Sequence, residues 1–299
     1  ASSIRAVREA ALATRAGQVT VGDAPLQSCD FDTLVDRTGL REWAAALAEE
    51  DSRFTGMEDF RRTKAVVRGG LRTALEGLRP EDDFVLFDLA GESLLEPISG
   101  GNPRFRVTQY DPRLLERRHS QGRHQYLVAR AVMDADVVIN LPKLKTHKKA
   151  GITCALKNLI GINGNKEFLP HHRLGGSDDG GDCYEGDGRF RLWLEKAMDQ
   201  YNQAGSRVGA RVWKGLARVM GRAAETVDGS QEIEGAWWGN DTIWRTCLDL
   251  NRVLLYGRTD GTLAEEPQRE ELHIVDAVTA GQGDGPLSPM PLPLGLLMA

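Results

Sequence analysis

The chain has 299 residues, 41% hydrophobic and 27% charged, which is enough apolar content for a real core in one large domain or two modest ones. Its net charge of −5 argues against nucleic acid as a bulk electrostatic partner. No run of about 18 apolar residues is present to span a membrane, and no charged-then-apolar leader points to secretion, so a cytoplasmic location is expected.

Short β-branched and apolar runs halted by turn chemistry predict strands at Gln18–Val21, Phe84–Leu89, Phe105–Tyr110, Val137–Asn140 and Leu272–Val275. Helical spacing fills the intervals at Ile4–Thr14, Leu40–Leu47, Arg61–Leu78 and His124–Met133. Strand alternating with helix predicts an α/β fold with a mostly parallel sheet and helices on both faces. Residues 175–257 break the rhythm. A Gly/Asp-rich loop, Gly175–Gly188, precedes helices expected near Arg189–Gln203, Ser206–Ala224 and Asp241–Leu255. We read this stretch as a helical insertion or cap on an α/β domain made of residues 1–174 and 258–299. The lack of an initiator Met and the halt at Ala299 in mid-pattern read as trimming at both ends.

Ligands of open parallel sheets bind beyond the carboxyl ends of the strands. Asp23, Glu92, Lys143 and Asp276 follow candidate strands and are expected along one such edge. The segment after Val137 carries the strongest signal. Nine lysines occur in the chain, and six of them (Lys143, Lys145, Lys148, Lys149, Lys157 and Lys166) fall within it. Between Val137 and Gly176 the sole acidic residue is Glu167, so a positive local field sits on a negative protein and would focus an anion. Lysine binds phosphate or carboxylate as a point charge. Pro142 should end the strand, leaving Lys143 and Lys145 on one side of an extended chain. Gly151–Gly161 has helical spacing, and a helix N-terminus near Lys149–Ile152 would add N–H donors.

The segment Asp136, Asn140, Pro142-Lys143, Lys145-Thr146-His147, then Lys157-Asn158 and Gly161 resembles the hallmark of the DUF362 family. Gly22-Asp23-Ala24-Pro25 and Ile274-Val275-Asp276 with Gly281, Gly283 and Gly285-Pro286 extend the resemblance over most of the chain. The family is named for having no settled function. Some members carry appended ferredoxin-type cysteine motifs, which implies redox or metal chemistry. The four cysteines here (Cys29, Cys154, Cys183 and Cys247) are scattered, with no Cys-x-x-Cys pair, and are expected as reduced thiols.

Three functional readings follow. In the first, the protein is an enzyme acting on an anionic small molecule. Lys143, Lys145, Lys157 and Asn158 would bind it, and Gly283 and Gly285 would cradle a phosphate through backbone N–H groups. His147 would serve as acid/base, with Asp23 and Asp276 as the opposing carboxylates. In the second, His147, His171, His172 and Asp182 hold a divalent metal (Zn, Fe or Mn) in a metal or redox protein. The acidic loop could instead close over the basic segment as a lid. In the third, Arg207, Arg211, Lys214, Arg218 and Arg222 line one helical face and contact an anionic membrane surface or a partner.

Overall fold

A computed structural model describes residues 9, 17–68, 71–100 and 104–299. The expected helix Ile4–Thr14 falls outside these apart from residue 9. Strand β1 (Val19–Asp23) leads through helices α1 (Phe31–Arg37) and α2 (Leu40–Glu50) to β2 (Phe54–Asp59), which pairs with β1 in parallel. Asp30 caps α1 by accepting the Thr33 N–H, as its place before an apolar-periodic run requires. Next come β3 (Thr63–Arg68) and β4 (Leu71–Gly77), an antiparallel pair. Here the expected helix Arg61–Leu78 is overturned. Gly69-Gly70 between two β-branched or apolar runs is a hairpin signal that outweighs the helical spacing around it.

Strand β5 (Phe84–Asp88) is followed by β6, which spans only Phe105–Arg106 of the longer strand expected there. Helix α3 (Pro112–Arg118), capped by Asp111 with Pro at its first position, leads to β7 (His119–Ser120) and β8 (Arg123–Ala129). The residues expected as helix His124–Met133 are therefore mostly strand, with one helical turn, α4 (Arg130–Met133), at the end. β8 pairs antiparallel with β5 and contributes Tyr126 and Val128 to the main core, which decides the local conformation by packing rather than propensity.

Strand β9 (Val137–Asn140) continues past Leu141-Pro142 as β10 (Lys143–His147). β11 (Gly151–Thr153) returns antiparallel to β10, and α5 (Ala155–Asn158) is a single turn. Gly151 adopts φ +74° at this reversal, and Ile152 and Thr153 favour strand, so the expected continuous helix Gly151–Gly161 begins only at Ala155. β12 (His172–Arg173) pairs with β6. Helices α6 (Arg189–Gln203), α7 (Arg207–Ala223) and α8 (Ile243–Tyr256) lie where helices were expected. The chain ends with β13 (Glu270–His273), β14 (Val275–Asp284) and β15 (Ser288–Met298).

The fold is mixed α/β, but the expected mostly parallel sheet is not what forms. Parallel pairing joins β1 to β2, β9 to β13 and β10 to β14, while β3–β4, β5–β8, β7–β8, β6–β12, β10–β11 and β14–β15 are antiparallel. The strands fall into several small sheets: among the described residues four of the pairings are hairpins, and the rest join strands separated in sequence. One parallel seam matters for the site. β9–β10 runs beside β13–β14, bridged at the junction by Ile274 N–H to Asn140 C=O (2.9 Å) and Asp276 N–H to Pro142 C=O (2.9 Å).

The main core holds Phe87, Leu95, Phe105, Tyr126, Val128 and Leu159, joined by Leu250, Val253 and Leu254 of α8. Buried Asp249 of α8 ties that helix to the sheet by accepting from Tyr126 OH (2.8 Å) and Leu94 N–H (3.0 Å). α6 and α7 pack on each other around Leu194, Ala197 and Ala217, with Trp213 and Met220 at the margin.

Candidate functional site

Lys143, Lys145 and His147 alternate along β10, so they share one face of the strand. Exposure falls along that face: Lys143 is exposed, Lys145 half-buried and His147 buried. The outer part borders an open depression of about 210 Å³ lined by Lys143, Lys145, Thr279, Gly281, Pro289 and Pro291. The inner part leads to Lys149 and Lys157. These side chains act on one another: burial first, then the charges of Lys157, Lys149 and Lys145, push His147 down to about 3. Burial also lowers Lys149 and Lys157 from the ordinary lysine value.

Compensation is uneven. Lys143 is ion-paired with Asp276 at 2.7 Å. Lys149 donates to Thr108 Oγ1 at 2.7 Å and lies 4.0 Å from Glu234, and Lys166 donates to the Thr108 carbonyl at 2.5 Å. Among the described residues Lys145 and Lys157 have no ion pair. Two ammonium groups without an ion pair, Lys145 facing the Asp23 charge beyond ion-pair distance and Lys157 under desolvation, make a place that an anion would stabilise.

His147 is neutral at physiological pH. Its Nδ1 accepts the N–H groups of Lys149 (3.1 Å) and Ala150 (3.3 Å), which places the proton on Nε2. The ring is therefore suited to donating Nε2–H to an anion, and its low pKa removes the near-neutral titration expected of it. The unfolded ring titrates near 6.5 and the folded one near 3, so the unfolded state binds more protons between those values. Stability from this group is accordingly lost as pH falls from 6.5 toward 3.

Asp23 ends β1 and meets the other side of the motif. Its neighbour Ala24 donates N–H to the Gly161 carbonyl at 2.7 Å. Asp23 is exposed, although protein atoms lie close around its carboxyl. Those surroundings raise its carboxyl to about 6, opposed by the Ala24 N–H, Arg61 and Lys145 and reinforced by Asp59. A methyl group at Gly161 would stand 2.1 Å from Asp23 Oδ1. Gly161→Ala is therefore expected to expel the Asp23 carboxylate and destabilise the fold by about 1–3 kcal/mol. Thermal denaturation of that variant checks this, and an unchanged melting temperature would refute the contact.

Other motif residues act as braces. Asn140, buried at the end of β9, donates to the Ala155 carbonyl (2.9 Å), lies 2.9 Å from His273 Nδ1, and accepts from Asn158 Nδ2 (2.7 Å). The Asn158 amide is thus engaged in holding α5 rather than free for a ligand. Asp276 is engaged by Lys143 and by the Val278 N–H (3.1 Å), which leaves it poorly placed as a base. Gly281–Gly285 is no open cradle. It is the end of the β14–β15 hairpin, and a methyl at Gly285 would collide with the Thr146 carbonyl at 1.8 Å. Gly283 takes φ +78°, and its carbonyl accepts from Thr146 Oγ1 at 2.8 Å. These glycines are explained by close packing on β10. Glu92 lies away from this edge, paired with Arg252.

A sequence model of the family described as "Domain of unknown function (DUF362)" matches residues 105–299, well over half of the chain. The chain belongs to the DUF362 family. The lysine segment, α5 and the β13–β15 strands all lie within the matched residues, whereas Asp23 lies outside them. A second similarity is to the thylakoid-associated protein sll1697 of Synechocystis sp., 45% identical over 51 residues. It covers 17% of this chain and 16% of that protein. No solved structure matches.

The metal ligands expected of this DUF362 chain separate in space. Asp182 is fully engaged: Oδ2 accepts from Thr242 Oγ1 (2.6 Å) and Asp241 N–H (3.0 Å), and Oδ1 accepts from Arg173 N–H. His171 donates Nδ1–H to the Leu169 carbonyl at 2.7 Å, which frees Nε2. His172 instead approaches Cys183 and Glu195. Glu195 escaped sequence reasoning because it lies inside an amphipathic helix, where a lone Glu reads as solvated. The loop Gly175–Gly188 folds back on itself, with Ser177 N–H donating to the Tyr184 carbonyl (3.0 Å).

Proposed function

We propose that this protein binds a small anion bearing phosphate or carboxylate groups between Lys145, Lys149, Lys157 and His147, and acts on it with Asp23 as general base. The observation that carries the reading is the pair Lys145 and Lys157, cations without an ion pair among the described residues and set beside two further donors, with Asp23 close enough to feel the charge of Lys145. Lys143 stands at the rim, where it would steer rather than bind. A carboxyl near 6 is matched to proton abstraction close to neutral pH, and the Nε2–H of a neutral imidazole can stabilise developing negative charge. The reaction class stays open between proton transfer and group transfer on such an anion.

Calorimetric titration with inorganic pyrophosphate and citrate tests the reading. Lys145→Met is expected to weaken binding about tenfold or more, as loss of a charge-assisted contact requires. Nuclear magnetic resonance of His147 supplies an independent readout. A bound anion offsets the lysine charges, so the imidazole pKa should climb from about 3 toward its ordinary 6.5. Unaltered titration of His147 at saturating anion would overturn the assignment.

A second reading rests on α7. Val208, Val212, Leu216 and Val219 are 70%, 63%, 39% and 56% exposed, although each lies on a helix whose opposite side packs on α6 through Ala217 and Met220. Arg207, Arg211, Lys214, Arg218 and Arg222 border this apolar strip, and no acidic residue interrupts the helix. An apolar strip flanked by cations is complementary to an anionic bilayer surface. No helix among the described residues is long and apolar enough to cross a membrane, so contact would be peripheral. The word "thylakoid-associated" in the name of the Synechocystis relative agrees with such contact. Sedimentation with phosphatidylglycerol vesicles is expected at low salt and should be largely lost in Val212→Asp/Val219→Asp. Equal sedimentation with neutral phosphatidylcholine vesicles would refute it.

A further inference from the structure

We propose that His172, Cys183 and Glu195 form a transition-metal site, distinct in its ligands from the lysine cluster but within reach of the charge of Lys149. Their ligand atoms (a ring nitrogen, a thiol sulfur and a carboxyl oxygen) all lie within 4.8 Å of one another, and all three residues are buried. His172 is 4%, Cys183 1% and Glu195 4% exposed.

His172 Nδ1 lacks any hydrogen-bond partner within the protein, whereas the Glu195 carboxyl has the Gly175 N–H and the Cys183 thiol. Buried polar atoms are normally satisfied, and an unsatisfied one calls for a reason. The contact between Cys183 and Glu195 leaves His172 Nδ1 unexplained, whereas a cation shared by the three residues accounts for it.

The three residues come from different elements and are held by backbone contacts. His172 is in β12, and a methyl at Gly235 would stand 2.7 Å from its Cβ, so that glycine lets the chain close over the ring. Cys183 is pinned on both sides, its N–H donating to the Gly175 carbonyl (3.0 Å) and its carbonyl accepting from Gly235 N–H (3.1 Å). Glu195 sits in α6 and accepts the Gly175 N–H at Oε2 (3.0 Å). The donors are therefore positioned before any metal arrives, as a built site requires.

Donor chemistry sets the class of ion. One imidazole, one thiolate and one carboxylate suit Zn²⁺, Fe²⁺ or Co²⁺, and the sulfur disfavours Mg²⁺ and Ca²⁺. A divalent ion with one thiolate and one carboxylate is also electrically neutral, the state that a buried site demands. Binding would release the protons of Cys183 and Glu195, so affinity rises with pH. Three protein ligands leave a coordination position for water.

The test uses the full chain purified without an affinity tag, stripped with chelator and titrated with Co²⁺ and Zn²⁺. One equivalent of Co²⁺ should give a thiolate-to-metal charge-transfer band, displaced by Zn²⁺. Cys183→Ser should abolish the band, and Glu195→Gln should weaken binding about tenfold or more. Circular dichroism verifies that each variant is folded, and Cys247→Ser, a buried thiol outside the cluster, should leave the band intact. Absence of the band in the wild type, or its persistence in Cys183→Ser, overturns the site. Anion binding by Lys145 and Lys157 is read separately, by the pyrophosphate titration.

Discussion

Replacing Lys157 by methionine is expected to stabilise the ligand-free protein by about 2 kcal/mol, a few degrees in melting temperature, and to remove anion binding. Lys157 has no ion pair among the described residues, and burial depresses its pKa, with Lys149 and Lys145 adding repulsion. Cys247 would relieve it only as a thiolate, and burial has pushed that thiol up to about 11. Methionine keeps the length and the apolar stem while deleting the charge. Because the folded pKa of Lys157 lies below the unfolded 10.5, the unfolded state binds more protons in between, and wild-type stability rises with pH through that window. The advantage of the variant should therefore shrink as pH climbs toward 10.5. With saturating pyrophosphate the order should reverse, since only the wild type gains from ligand. Chemical denaturation at several pH values, with and without anion, measures both effects. A variant less stable than wild type at every pH would show that the lysine charge is satisfied and that the site is structural.

The lysine segment was legible in the sequence because its signal is compositional: cations crowded where acids are missing, next to a strand that Pro142 had to end. Their convergence on His147 follows from strand alternation, which is local. What could not be read locally was lost. Asp276 and Lys143 are far apart in sequence, and only the β10–β14 register reveals that they neutralise each other. Gly281–Gly285 looked like a phosphate loop because glycine marks both anion cradles and tight packing, and only the Thr146 carbonyl beside Gly285 separates the two. The parallel-sheet expectation failed at Arg61–Leu78 and His124–Met133. In both, apolar spacing fitted a helix, while a Gly-Gly pair in one and burial against β5 in the other favoured strand. In α7 the sequence showed five cations on one face and an apolar remainder. Which of the apolar residues meet α6 and which meet solvent depended on the partner helix.

Removing the charge of Glu195 is expected to abolish this side chain's pH dependence of stability in the metal-free protein. Burial pushes this carboxyl up to about 8 from an ordinary 4.5, only partly countered by Cys183 and the Gly175 N–H. Between those values the native state binds more protons than the unfolded one, so stability is present below 4.5 and is lost as pH rises toward 8. At about 1.4 kcal/mol per tenfold change, the loss is on the order of 5 kcal/mol. Glu195→Gln retains an acceptor for the Gly175 N–H and cannot ionise, so it should be the more stable protein in chelator at alkaline pH and nearly equal to wild type at acidic pH. A transition metal changes the sign. Once bound, it prefers the carboxylate, and wild type should overtake the variant by the free energy of metal binding. Denaturation curves of the two proteins, each with chelator and with Zn²⁺, therefore separate two contributions of one buried side chain. Parallel pH profiles in chelator would mean that Glu195 ionises like a solvated carboxyl. Greater stability of Glu195→Gln in chelator without overtaking by wild type in Zn²⁺ would mean that the burial of Glu195 is real and that no metal relieves it.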